Sequence, residues 1–213
     1  MQLLRVFVLS ISALGVAICA HADPIRIAVD TSPLSGIHTV ALALTNADGS
    51  ANTVSLSSFD FGGGSGVDGS ADCTLGGTLS GLGCSGDVVT GVTLQDVDFT
   101  ALFTQQFEAG STLSFRLTAT NDFSGPFPDQ FALYICDATI ISCYSDDASG
   151  AMLLLNLAGG TISPSNFELF GAAAQDLDAP TVAPVPDRPE TLVLALVAAL
   201  PLFALARHRK LNT

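Results

Sequence analysis

The 213-residue chain contains no tryptophan, two tyrosines and only seven lysines and arginines. Between Asp23 and Pro186 there is no lysine, and Arg26 and Arg116 are the only bases. That stretch holds 18 of the chain's 20 acids, all but Asp187 and Glu190, which leaves it at −16. So little positive charge excludes nucleic acid and anionic lipid as partners. The missing tryptophan removes the best ring for stacking a sugar and leaves only Tyr134 and Tyr144 for that task. There is no Gly-x-Ser-x-Gly, no His-Glu-x-x-His and no Cys-x-x-Cys. A nucleophile elbow, a zinc-binding helix and a thiolate metal site are therefore excluded. His38 is the only histidine of the stretch and shares a strand face with Val40 and Leu42. It reads as a satisfied core or edge histidine. With so many acids a pair of neighbouring carboxylates is inevitable, so it is no sign of glycoside hydrolysis. The expectation is a non-catalytic protein with no catalytic residues, no metal site and no cofactor.

What the chain does have is concentrated at its ends. Residues 1–22 carry Arg5, an apolar run from Val6 to Ala17, and Ala20-His21-Ala22. That is a secretory signal helix with a small-x-small cleavage site before Asp23. Ile18, where a lipoprotein signal needs a small residue, argues against lipidation at Cys19. Four cysteines remain: Cys73, Cys84, Cys136 and Cys143. An even number in an exported body favours disulfides. Three connectivities are open, and Cys73–Cys84 with Cys136–Cys143 is favoured because each pair closes a local loop.

At the other end, residues 179–190 are proline-rich and read as an extended linker. Residues 191–213 follow as a transmembrane helix and basic tail. The apolar stretch from Leu192 to Ala206 has no charged side chain, and Arg207, Arg209 and Lys210 form a stop-transfer cluster on the cytoplasmic side. As a helix it spans about 23 Å, short of the roughly 30 Å hydrocarbon core. The motif before it is Val185-Pro186-Asp187-Arg188-Pro189-Glu190-Thr191. Polar motif, apolar helix and basic stop together resemble the PEP-CTERM sorting tail. Arg188 interrupts that family's Pro-Glu-Pro triplet, and the usual Gly-rich helix is here built of Leu and Ala. The resemblance implies an exosortase-type processing enzyme as partner and a membrane contact through the C-terminal helix. It also implies an inner-membrane precursor destined for the cell surface or extracellular matrix. If the motif is not read, the tail is a plain single-pass anchor.

Residues 23–178 are expected to form an all-β domain, an antiparallel β-sandwich of jelly-roll-like type. Ile25 to Asp30, Ile37 to Thr45, Val88 to Leu94, Ser111 to Asn121, Ala151 to Leu157 and Thr161 to Phe170 read as strands. So does the run around Phe131, Leu133 and Ile135. Val54 and Leu56 alternate, and Phe59 and Phe61 continue out of phase. A β-bulge at Ser57-Ser58 would return all four to one face. Asp96 to Phe107 fits both periods, and Leu102 tips it toward a short helical segment. Asp96/Asp98 and Asp146/Asp147 are expected as surface charge. Asp60, Asp68 and Asp72 are expected to form a solvated acidic loop. Gly63 to Asp68 matches part of a calcium-binding nonapeptide, but in one copy where the mechanism needs tandem turns.

Four pieces in order resemble a subgroup of PEP-CTERM proteins without an established function. They are Val29 to Ser32 with Leu34 to Gly36, Phe59 to Ser65, Phe107 with Gly110 to Phe115, and Pro128 to Phe131. No catalytic residues come with that resemblance. The reading is an exported, non-catalytic cell-surface or matrix protein; a glycan-binding module with an extracellular polysaccharide as partner is the alternative.

Overall fold

The computed structural model describes residues 24–185, except residues 48, 50, 74–82, 97–98 and 124. Both expected terminal helices lie outside the described residues. The described part is an all-β sandwich of two six-stranded antiparallel sheets. The first sheet runs, in spatial order, β12 (Thr181–Pro184), β1 (Ile25–Asp30), β8 (Thr112–Ala119), β3 (Thr53–Asp60), β6 (Gly91–Gln95) and β5 (Cys84–Asp87). The second runs β11 (Phe167–Leu169), β10 (Leu153–Leu157), β9 (Asp129–Asp137), β2 (Ile37–Thr45), β7 (Thr100–Glu108) and β4 (Ser65–Gly66). Strands β1 to β4 alternate between the sheets, so each connection among them crosses from one sheet to the other.

The period-two pattern explains that core. Ile25, Ile27 and Val29 of β1 and Leu113, Phe115 and Leu117 of β8 point inward from the first sheet. Val40, Leu42 and Leu44 of β2 and Phe131, Leu133 and Ile135 of β9 meet them from the second. Burying each such side chain contributes about 1.5–3 kcal/mol.

The bulge anticipated in β3 is present. The register against β8 shifts between Ser57 and Asp60, and Ser58 has φ 56°. Beyond it Phe59 packs on Phe115 (centroids 5.1 Å apart) and Phe61 on Phe107 (5.8 Å). A serine in the left-handed region is strained where glycine is not. Ser58→Gly is expected to raise stability by about 0.5–1 kcal/mol, read as a higher urea midpoint with an unchanged slope. A lowered midpoint would mean the serine hydroxyl holds the bulge.

Four expectations are corrected. The segment expected to be helical within Asp96 to Phe107 is instead a strand: Thr100–Glu108 is β7, paired along its whole length with β2. Phe103 and Phe107 face the core, whereas Phe99 precedes the strand and is exposed. The 3.6-residue spacing coincided with a two-residue one, and central placement in a sheet decided between them. Second, the strand read from Val88 starts only at Gly91. The Asp87 carboxylate accepts the amide hydrogens of Val89 and Thr90, which turns that segment into the β5–β6 hairpin connection. Third, the proline-rich stretch is not all linker. Thr181–Pro184 is an edge strand antiparallel to β1, and the Val185 amide donates to the Pro24 carbonyl. Proline is tolerated there because an edge strand has no partner on its outer side. Fourth, of Thr161 to Phe170 only Phe167–Leu169 is strand, because Pro164–Asn166 forms a 3-10 turn.

Three of the four pieces that resemble the PEP-CTERM subgroup interlock at one end of the sandwich. The Ser111 amide and hydroxyl both donate to the Gly62 carbonyl, and the Thr31 hydroxyl donates to the Gly110 carbonyl. A Cβ on Gly110 would run into the Phe61 carbonyl, and one on Gly64 into that of Glu108. Glycine is required at both because backbone approaches backbone there.

Candidate functional site

Pairing of β1 with β8 sets Arg26 directly opposite Arg116 on the outer face of the first sheet. These are the only cations of residues 24–185, and both side chains are exposed. Like charges placed directly opposite destabilise a sheet. Arg26 Nη2 donates to the Ser114 hydroxyl at 3.2 Å, and among the described residues nothing pairs with Arg116. The two guanidinium groups border a groove of about 430 Å³. Ser58 and Asp60 of the bulge line one part of it and Ala183 to Val185 another. Ser114 points outward with Arg116, as its register demands, yet it is buried. The sequence marked Arg116 as outward-facing; only strand order revealed that Arg26 is its neighbour.

A second cluster closes the opposite end of the fold, where the loop after β2 and those before β7 and β9 meet. Asp96, expected on the surface, is buried, and so are Asp129 and Asn52. Asn52 is the hub. Its amide donates to Asp96 Oδ1 at 2.6 Å, and its Nδ2 donates to Asp129 Oδ2 at 2.7 Å and to the Asp122 carbonyl at 2.8 Å. Its Oδ1 accepts from the Thr120 hydroxyl and the Asp122 amide. Asp129 Oδ1 takes the Ala47 amide hydrogen at 2.7 Å. Asp96 Oδ2 accepts no hydrogen bond. Burial, with the Asp129 carboxyl beside it, pushes Asp96 up to about 7. A proton on Oδ2, donated toward Asp129, satisfies both observations. A carboxyl poised near neutrality is also a mark of general-acid sites. This one is 1% exposed beside a partner at 0%, so it is placed to tie loops rather than to meet a substrate.

His38 is satisfied, as its position suggested. Nε2 lies 3.2 Å from the Ser35 carbonyl and so carries the hydrogen; Nδ1 then accepts from the Tyr144 hydroxyl, also at 3.2 Å. Neither nitrogen is left for proton transfer. Tyr144 is thereby engaged. Tyr134 is half-buried against a small outer cluster of Ala43, Ala132 and Ala151. Burial first, and then Asp147, raises the Tyr134 hydroxyl above its ordinary range. Neither tyrosine is an open sugar platform. Asp60, Asp68 and Asp72 do not converge: Asp60 caps Gly62, and Asp72 bridges to Thr104. Among the described residues no three His, Cys, Asp or Glu side chains are grouped to hold a metal ion.

The disulfides are Cys73–Cys84, with Cα atoms 5.6 Å apart, and Cys136–Cys143, joined across an antiparallel bridge. Of the sorting motif, Val185 closes the domain, whereas Pro186, Asp187, Arg188, Pro189, Glu190 and Thr191 lie outside the described residues. Arg207, Arg209 and Lys210 do so too. Among the described residues no helix is long and apolar enough to cross a membrane. Compared with protein-family models, characterised proteins and solved structures, the chain matches none.

Proposed function

We propose that the protein is a non-catalytic exported component of the cell surface or extracellular matrix, delivered by an N-terminal signal and a PEP-CTERM-like tail. The observation that carries this reading is the pairing of β1 with β12. It brings Pro24 and Val185 side by side, so the signal before one and the sorting motif after the other leave the body together. A single membrane can hold both ends of the precursor without distorting the sandwich. Two disulfides and an acidic body suit an oxidising, aqueous compartment. Strand alternation between sheets supports a jelly-roll-like topology. An exosortase-type enzyme is the processing partner in this reading, and the inner membrane holds the precursor.

Intact mass and N-terminal sequencing of protein recovered from membrane and medium test it. The expected species starts at Asp23 and is truncated between Pro186 and Thr191. A chain starting at Asp23 but running to Thr213 in the membrane would replace the sorting role with permanent anchorage. Retention of Met1 in a cytosolic form would overturn export. A second reading, a glycan-binding module, is favoured by the groove at Arg26 and Arg116 rather than by the tyrosines.

A further inference from the structure

We infer that the groove over β1, β3 and β8 binds a sugar acid, with the carboxylate on Arg26 and Arg116 and the sugar hydroxyls on Asp60 and the groove serines. This deepens the glycan-binding reading and rests on it; it does not depend on how the tail is processed. The sheet register forces the two cations together on an otherwise acidic domain. With so many carboxylates available, ion-pairing each arginine within the fold would be easy, yet Arg26 is held by a neutral hydroxyl and Arg116 by nothing described. Paired guanidinium forks match a planar carboxylate and bind it bidentately.

Asp60 narrows the ligand class. A free sulfate ion or a fully ionised phosphate brings no hydroxyl group to donate to an aspartate. A uronic acid offers both a carboxylate for the arginines and hydroxyl hydrogens for Asp60. Ser58 and Ser114 hydroxyls add neutral partners, and Ala183 and Pro184 give the groove an apolar wall. A volume of about 430 Å³ lies in the range of small-molecule sites, which runs from roughly 300 to 1,000 Å³. Arg26, steadied by Ser114, fixes the carboxylate's direction, and Arg116 closes on it.

Calorimetric titration of the exported protein with a glucuronate trimer, against a neutral glucose trimer, tests the inference. The acidic trimer is expected to bind at least about tenfold tighter than the neutral one, and Arg116→Gln to weaken it roughly tenfold or more. Arg116→Lys keeps the charge but not the fork and is expected to fall between. Arg116→Gln should not lower the melting temperature, because removing one of two opposed like charges relieves the sheet, and Arg116→Lys, which keeps the charge, should leave it unchanged. No binding by the wild type, equal binding of both trimers, or binding indifferent to Arg116→Gln would overturn the proposal. N-terminal sequencing of the same sample reports separately on export, so failure of one reading is not mistaken for failure of the other.

Discussion

Asp96→Asn is expected to abolish a loss of stability that the wild type suffers between about pH 4 and pH 7. The native Asp96 carboxyl keeps its proton up to about 7, whereas an unfolded aspartate releases it near 4. Across that window the folded state binds more protons, so stability is complete below the lower value and declines as pH rises through the upper one. The decline is on the order of 3 kcal/mol, or roughly 6–12 °C in melting temperature for a domain of this size. Other carboxylates act in the opposite sense. Asp137, lowered chiefly by the Thr139 hydroxyl, and Asp87, lowered by the Thr90 and Val89 amides, lose their contribution as pH falls below the ordinary aspartate range. The wild type should therefore be most stable near pH 4–5.

Asparagine at position 96 mimics the protonated acid. Its carbonyl still accepts from the Asn52 amide, and its NH2 replaces the proton facing Asp129. The variant should match the wild type near pH 4.5 and exceed it at pH 8. Asp129→Asn is not equivalent. Asp129 is an acceptor for both the Ala47 amide and Asn52 Nδ2, and an amide there sets donor against donor, so this variant should lose stability at every pH. Thermal melts from pH 4 to pH 8 distinguish the cases. A slope that survives Asp96→Asn would place the titrating group elsewhere.

Asn52→Ala is expected to have the largest single effect, about 3–5 kcal/mol at pH 7. The substitution removes four side-chain hydrogen bonds and takes the Asn52 donor from a carboxylate that is wholly buried. It also releases the contact between the segment before β3 and the loop after β8. Asn52→Asp should be worse than alanine at pH 7.5, because a third carboxyl then faces Asp96 and Asp129, and the gap should narrow at pH 4.5. Urea unfolding of both variants checks this. A cost below about 1 kcal/mol for alanine would show that the loops are held by other means.

The all-β class, most strands and the β3 bulge were legible in the sequence because alternation is local: each apolar residue reports its face through its neighbours two positions away. Ser57-Ser58 was identified as the bulge for that reason alone. The turn at Asp87 is not legible there, since a carboxylate that captures amides two and three residues on leaves no mark on hydrophobic periodicity. Asp96 reads as surface charge because nothing in residues 94–98 shows that Asn52 and Asp129 will cover it.

From the sequence alone, the chain's composition determined that the body is acidic, carries an even number of cysteines suited to disulfides and is built of alternating strands. These properties follow from residue identity and near-neighbour spacing. Tertiary structure alone decided that Thr181–Pro184 joins a sheet, that Asp96 is buried beside Asp129, and that Arg26 meets Arg116. Each depends on which distant strands pair, and pairing is chosen by burial of the whole core rather than by any one segment.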